Sequence, residues 1–365
     1  MNIIENLLNE LCSKGVAHKA LGEVCKINKG KQLNKEMLTA TGKYPAYNGG
    51  TDYSGFTDKY NAEADTVIIS QGGASAGYVN FVTERFWANA HCYYCEPNEA
   101  VVLNRYLYHF LKQSQEVLME CKHGAGIPAL SLNKITRLSI PLPPLPVQAE
   151  IVRILDTFTE LTAELTAELT ARKKQYEFYR EDLLGFEGRT DVEWKKLGEV
   201  CNVGTGKGNR QDEEDGGKYP FYVRSKEVLR SNTYLFDEKA VIIPGEGGVG
   251  EIYHYIDGKY NLHQRAYRIA PKNEGIIAKY VYYYMTSKFK RFIESRAVDA
   301  TVKSIRKPMV EGFSIPIPSL EEQAEIVSIL DQFDTLTNSL TEGIPAEIEL
   351  RQKQYEFYRE KLLTF

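Results

Sequence analysis

Lys174-Gln175-Tyr176-Glu177-Phe178-Tyr179-Arg180-Glu181 recurs residue for residue as Lys353-Gln354-Tyr355-Glu356-Phe357-Tyr358-Arg359-Glu360. A second matched block precedes each copy: Gln148-Ala149-Glu150-Ile151-Val152 and Gln323-Ala324-Glu325-Ile326-Val327. Each block continues into Ile-Leu-Asp (Ile154 to Asp156, Ile329 to Asp331) and then a Phe, Phe158 or Phe333. Repeats of this length imply two large similar modules rather than a solenoid of small ones.

The repeat extends over nearly the whole chain. Leu21-Gly22-Glu23-Val24-Cys25 returns as Leu197-Gly198-Glu199-Val200-Cys201, and Gly30-Lys31 as Gly206-Lys207. Lys43-Tyr44-Pro45-Ala46-Tyr47 returns as Lys218-Tyr219-Pro220-Phe221-Tyr222. Val67-Ile68-Ile69 before Gly72-Gly73 returns as Val241-Ile242-Ile243 before Gly247-Gly248, and Pro141-Leu142-Pro143 as Pro316-Ile317-Pro318. Between these anchors the halves diverge. Leu7-Leu8 stands before Leu21 as Leu183-Leu184 stands before Leu197, and Leu362-Leu363 closes the chain in the same register. The start of the chain thus resembles the continuation of its own end. A cyclic arrangement with approximate two-fold symmetry is expected, the N-terminal helix lying beside the C-terminal one.

At 365 residues with 43% apolar content, the chain is long enough for two to three domains with real cores. It has no apolar run of about 18 residues, so no membrane span is expected, and its acidic, amphipathic start is unlike a signal peptide. Six scattered cysteines suit a reducing, cytoplasmic setting. The formal charge of −4 is unevenly placed. Residues 1–147 hold 14 basic and 13 acidic side chains, and residues 187–319 hold 22 and 18. Residues 148–186 hold 5 and 8, and residues 320–365 hold 4 and 10. The negative charge sits in the repeated segments, so an acidic total does not exclude nucleic-acid binding by the divergent ones.

Pro141-Leu-Pro-Pro-Leu-Pro146 is a stiff lead-in that ends a domain. Beyond it Phe158, Leu161, Leu165, Leu169, Arg172, Tyr176, Tyr179 and Leu183 step by three or four, predicting a helix with a coiled-coil seam. The second copy steps through Phe333, Leu336, Leu340, Ile344, Ile348, Arg351, Tyr355, Tyr358 and Leu362. Thr162-Ala163-Glu164-Leu165 repeats in tandem as Thr166-Ala167-Glu168-Leu169, a unit close to one helical turn. Such a unit can be gained or lost without destroying the seam, which points to a spacer of tunable length. Gly343-Ile344-Pro345 interrupts the second copy and leaves open whether that helix is continuous.

The divergent regions read as mixed α and β. Val67–Ser70 and Val241–Ile243 are strand-like runs into glycine turns; Tyr78–Val82 and Ile252–Ile256 are expected to return from them. Asn104–Leu118 and Ala278–Ile293 carry helical periodicity. Glycine-containing turns beside polar or basic residues recur at matching places with different side chains. Glycine lets backbone approach a phosphate, Lys and Arg neutralise it, and Gln, Asn, Arg and Glu read base edges. The candidate DNA contacts are Lys31, Gln32, Asn48, Gln71, Ser75, Lys122 and His123 in the first half. In the second they are Lys207, Asn209, Arg210, Arg224, Lys226, Glu246, Arg265, Lys303 and Arg306.

Other motifs carry less. Gly245-Glu246-Gly247-Gly248-Val249-Gly250 matches a dinucleotide glycine pattern, but the strand-like Glu251–Ile256 follows where a helix is needed. His91-Cys92-Tyr93-Tyr94-Cys95, with Cys121 and His123, hints at zinc; on a strand, however, Cys92 and Cys95 face opposite ways. No nucleophile–His–acid set, paired carboxylates or methyltransferase tetrapeptide stands out, and no metal site is expected.

Two divergent domains alternating with two near-identical helical segments, each opened by a Pro-x-Pro run and Gln-Ala-Glu-Ile-Val, one with tandem Thr-Ala-Glu-Leu units, form a specific pattern. It resembles the specificity subunit of type I restriction-modification systems (the HsdS family) along essentially the whole chain. The resemblance implies an α+β fold: two mixed α/β target-recognition domains separated by two long antiparallel conserved helices as a coiled-coil spacer, with a pseudo-two-fold internal repeat. The segments would be 1–147 (first target-recognition domain), 148–186 (first spacer), 187–319 (second target-recognition domain) and 320–365 (second spacer). It implies a non-catalytic subunit that recognises an asymmetric bipartite site in double-stranded DNA. Two modification (HsdM) subunits would dock on the spacer, joined by restriction (HsdR) subunits. S-adenosylmethionine, ATP and Mg would belong to those partners, with no cofactor in this chain. The spacer and docking positions would be Phe158, Leu161, Leu165, Leu169, Tyr176, Tyr179, Phe333, Leu336, Leu340, Tyr355 and Tyr358. Two other classes fit the bare pattern: a non-catalytic coiled-coil scaffold with two ligand-binding heads, and an enzyme fragment that has lost its catalytic half.

Overall fold

The computed structural model describes residues 6, 10, 11, 15–121, 128–295 and 304–365. Leu7 and Leu8, and with them the expected pairing of N- and C-terminal helices, lie outside the described residues. The chain divides into two compact units: residues 1–165 with 347–365, and residues 166–346. The C-terminal octet therefore completes the first unit, as the cyclic repeat requires.

In the first unit, Cys25–Lys29, Cys92–Pro97, Thr66–Ser70 and Val79–Val82 form a four-stranded sheet in that order. Gly55–Thr57, Tyr44–Tyr47 and Trp87–Ala88 form a second sheet of three. Strand Thr66–Ser70 is buried along its length and feeds both sides: Val67 and Ile69 enter one core, Ile68 another. The same alternation separates Cys92 from Cys95, which sit in different cores. Burial pushes the Cys92 thiol up to about 12, and the Cys25 contact and burial raise Cys95 as well. Neither thiol favours the thiolate that zinc needs.

In the second unit the corresponding strands merge into one six-stranded sheet, in the order Cys201–Thr205, Ala266–Pro271, Phe236–Pro244, His254–Leu262, Tyr219–Tyr222, Leu229–Ser231. Strand His254–Leu262 is long enough to serve both parts. The return strand expected over Ile252–Ile256 begins two residues later and runs further. The cause is a glycine turn: Gly248 and Gly250 hold φ of +80° and +78°, and the Glu251 and Ile252 amides bond back to the Gly248 carbonyl. A strand, not a helix, follows these glycines, so the dinucleotide pattern lacks its phosphate-binding helix N-terminus.

The helices diverge between copies. Leu145–Leu183 is one helix of 39 residues. It has no glycine or proline after Pro146 and is rich in Leu, Ala, Glu, Arg and Lys. The second copy is split into Leu320–Asn338 and Ile344–Leu363. Gly343 explains the split: its φ is +116°, and a Cβ there would lie 2.4 Å from the Thr335 carbonyl oxygen. The expected step through Leu340 therefore fails, and Leu340 lies between the helices, 76% exposed. Likewise Asn104–Leu118 is two helices, Asn104–Gln113 and Gln115–Glu120.

Each unit joins its α/β part to a repeated helix by the same buried contacts. Gln148 and Gln323 are fully buried. Gln148 Oε1 accepts from the Leu103 amide (2.9 Å), and its Nε2 donates to the carbonyls of Val101 (2.9 Å) and Pro143 (2.8 Å). Gln323 Oε1 accepts from Ile277 (2.9 Å), and its Nε2 donates to Gly275 (3.2 Å) and Pro318 (3.0 Å). Tyr106 Oη donates to Pro141, and Tyr280 Oη to Pro316. Asp156 is held by Arg105 and His109, and Asp331 by Lys279 and Tyr283.

One member of this set is a buried histidine. His109 Nε2 lies 2.8 Å from Asp156 and Nδ1 3.1 Å from Tyr355 Oη. A neutral ring protonated on Nε2 satisfies both, donating to Asp156 and accepting from the tyrosine. Burial, chiefly, lowers the His109 pKa, whereas the contacts with His109 and Arg105 outweigh burial and hold Asp156 down at about 2. The unfolded chain binds a proton at position 109 below about pH 6.5 and the folded state resists it, so stability falls as pH drops through that value. Tyr283 replaces the histidine in the second unit and does not titrate there.

Gln323→Ala leaves one donor and two acceptors unpaired in the interior, costing about 3 kcal/mol and roughly 5–10 °C in melting midpoint. Exposed Glu325→Ala should change it by less than about 0.5 kcal/mol. Differential scanning calorimetry checks both. Hydrogen exchange at pH 5.5 against pH 7.5, corrected for intrinsic rates, should show lost protection in helix Asn104–Gln113 but not in Ala278–Glu294. His109→Gln should remove that difference.

Candidate nucleic-acid interface

The divergent loops gather at one end of each sheet because the same backbone bonds hold them. Asn89 N donates to the Tyr47 carbonyl and His263 N to that of Tyr222, both at 2.9 Å. Gln71 N donates to His91 and Gly245 N to Arg265, both at 2.8 Å. Gly72 bridges Ala129 and Glu246 bridges Ser304. Gly30 and Gly206 pass so close to the next strand that a Cβ would meet the Asn89 and Leu262 carbonyl oxygens at 2.1 and 1.8 Å. Positions 49, 72 and 91 of the first unit thus correspond to 224, 246 and 265 of the second.

In the first unit Lys31, Gln32 and Asn48 are exposed, and Ser75 is half-buried. Gln32 Nε2 donates to the Leu33 carbonyl at 3.0 Å. The Lys31 carbonyl accepts the Trp87 indole N–H at 2.9 Å, which fixes the backbone beneath an exposed ammonium. Gln71 turns partly inward: its Oε1 is buried and has no hydrogen-bond partner among the described residues. Residues 48–50, 71–75 and 91 come together, with Ser70 Oγ donating to the Gly50 carbonyl at 2.6 Å. Lys122 and His123 lie outside the described residues. His91 was missed as a candidate reader. It is exposed, and it stands where Arg265 stands in the other half. The signal was the repeat itself, which a metal-motif reading of His91-Cys92 obscured.

In the second unit Lys207, Asn209, Arg210, Arg224, Lys226, Arg265 and Arg306 are exposed, and Glu246 is half-buried. Arg210, Arg224 and Glu246 line one open cleft of about 350 Å³ with His263. Lys207 lines a separate cleft of about 470 Å³ with Asp212 and Asn261. Asn209 Oδ1 accepts from Gln264 Nε2, joining two loops. Glu246 Oε1 accepts from Arg265 Nη1 (2.6 Å) and from Arg224 Nη1. The Arg265 contact, above all, holds the Glu246 carboxyl below its usual range. The Arg265 amide donates to His263 Nδ1 at 3.0 Å, and burial lowers that histidine's pKa, so its ring is a neutral acceptor. Lys303 lies outside the described residues. Among the described residues no group of three His, Cys, Asp or Glu side chains is placed to hold a metal, and no helix is long and apolar enough to cross a membrane.

The repeated octets present a different surface. Tyr176 and Tyr179 stack on Phe333 in the second unit (5.9 and 5.4 Å between centroids), and Tyr358 stacks on Phe158 in the first (5.3 Å). Leu165, Leu169 and Leu336 are half-buried, and Leu161 is 37% exposed. Phe178 and Phe357, at the same place in each octet, are 67% and 58% exposed.

The family model for the type I restriction modification DNA specificity domain matches the chain twice, over residues 13–172 and 190–350. The chain belongs to the type I restriction-modification DNA specificity family. It is 33% identical to the specificity subunit of a type I restriction enzyme from Escherichia coli, over 100% of this chain and 97% of that one. A Haemophilus influenzae relative is 34% identical, with 96% of each chain covered. The fold is shared with the crystal structure of a type I restriction-modification S subunit from M. genitalium: TM-score 0.73, 20% identity, 96% of each chain covered. As a member of this family the chain is a DNA sequence-specificity subunit, and each of the two matches runs through an α/β part and on into a repeated helix.

Exchanging Lys31 and Lys207 for Ala should weaken DNA binding by the assembled complex about equally on all sequences. Each loss should reduce the salt slope of log K by about one. Electrophoretic titration at several salt concentrations checks this.

Proposed function

We propose that each α/β domain reads one half of an asymmetric bipartite site in double-stranded DNA. The repeated helices fix the gap and dock two modification (HsdM) subunits, and restriction (HsdR) subunits join the full cytoplasmic complex. The observation that carries this reading is one backbone frame bearing different polar side chains at matched loop positions. A shared frame delivers two reading heads to equivalent places on DNA, and unlike side chains make the half-sites unlike. In this reading the chain is not itself catalytic and binds no cofactor. S-adenosylmethionine, ATP and Mg act on the partner subunits.

Identical octets support docking of two copies of one partner. The exposed aromatic of each, Phe178 or Phe357, has the character of an interface anchor. The tandem Thr162–Leu169 unit supports the spacer reading, because it lies in unbroken helix where the chain passes from one compact unit to the other. One unit adds about 6 Å of helix, near the rise of two base pairs at about 3.4 Å each.

Co-expression with the cognate modification subunit, followed by sequencing for methylated bases, tests the function. One asymmetric motif with a fixed gap is expected; absence of methylation at any bipartite motif would sink the reading. Phe178→Ala and Phe357→Ala should each weaken one docking event by about 2 kcal/mol. By native mass spectrometry each single variant should carry one modification subunit and the double variant none. Deleting Thr166 to Leu169 should change the gap and leave both half-sites intact. An unchanged gap would refute the spacer role.

A further inference from the structure

We infer that Arg224 and Arg265, held by Glu246, are the guanine-reading element of the second domain; this rests on the DNA-specificity reading above. The three residues come from three separate loops and meet on one carboxylate oxygen: Arg265 Nη1 and Arg224 Nη1 both donate to Glu246 Oε1. Each guanidinium commits one nitrogen in these contacts and keeps the rest of its fork. Arg224 and Arg265 side chains remain 44% and 58% exposed. A bidentate fork matches guanine O6 and N7 in the major groove, the pairing that best distinguishes G·C from other pairs.

Three features favour base reading over phosphate contact. First, Glu246 would repel a phosphate, and a carboxylate between two arginines is costly in a pure backbone clamp. It is useful where guanidinium orientation matters, because it sets the plane of each fork. Second, the backbone that carries the carboxylate is anchored. Gly245 N donates to Arg265 and Ile305 N to Gly245, both at 2.8 Å, and Glu246 itself bridges Ser304. A side chain that positions others needs such a fixed base. Third, the matching positions of the first domain are Gly49, Gly72 and His91, with no guanidinium or carboxylate among them. The frame is common and this trio is not, which is what a specificity element in one half-site requires. Glu246 is a positioning residue here, and the arginines make the contact.

The test uses the full methyltransferase complex, with methylated motifs read from genomic DNA. Wild type defines both half-sites. Arg224→Ala and Arg265→Ala should relax one G·C position in the half-site assigned to the second domain by about 5- to 150-fold in preference. The other half-site and the gap should stay as they were. Glu246→Gln should keep the same preferred bases but lower methylation at that half-site, because the forks lose their charged anchor. Where an alanine variant methylates nothing, Arg→Lys keeps the charge and removes the fork. Methylation restored with the G·C position relaxed supports the proposal. Methylation restored at the unrelaxed motif assigns a phosphate contact and overturns it, as does no restoration. Unchanged motifs in all variants overturn this inference alone. A wild-type complex with no bipartite motif overturns the specificity reading beneath it.

Discussion

Everything else in each unit depends on a buried glutamine. Gln148 and Gln323 each tie three stretches of chain: the approach to the α/β domain's helix at Asn104 or Ala278, the end of the Pro-x-Pro strand, and the repeated helix itself. The helices starting at Asn104 and Ala278 receive no cap from their own preceding side chains, so the glutamine oxygen supplies an acceptor at the helix start. A fully buried amide is favourable only if all of its bonds are made. That condition fixes how each domain is set on its helix, and the tyrosine and aspartate contacts beside it repeat the constraint.

A rigid mount of this kind frees the loops at the other end of the sheet. Their backbones are pinned by matched bonds at Tyr47 and Tyr222, at His91 and Arg265, and at Gly72 and Glu246. The side chains of Arg224, Glu246, Arg265 and His91 lie outside the core clusters. Sequence there can change from Gly, Gly and His to Arg, Glu and Arg without loss of the fold. Charge follows the same division. Acidic residues concentrate in the repeated segments, where protein partners are proposed to dock, and the second domain between them has a net basic balance.

Much of this was legible in the residues. The repeat announced two similar units and a C-terminal segment that completes the first, because an eight-residue identity cannot be missed. The role of Gln148 and Gln323 was not legible. Their amide partners lie 45 and 46 residues away, and no local pattern encodes a tertiary bond. Periodicity carried the helical step through Leu340 because it counts apolar spacing and is blind to Gly343, whose positive φ sets it against the Thr335 carbonyl. The long strand His254–Leu262 was shortened in reading for a similar reason: a turn closed by Gly248 and Gly250 displaced its start, and its polar middle hid its extent. At the loops the sequence supplied candidates, including Arg224, Glu246 and Arg265. It did not show that these three converge, nor that His91 occupies the corresponding place in the other half.

The central claim is that the halves share a frame and read DNA independently. Replacing residues 195–319 with the corresponding domain of another family member, in the assembled methyltransferase, tests this most directly. Methylation mapping should show one half-site exchanged for the donor's, with the other half-site and the gap preserved. Alteration of both half-sites would contradict the account.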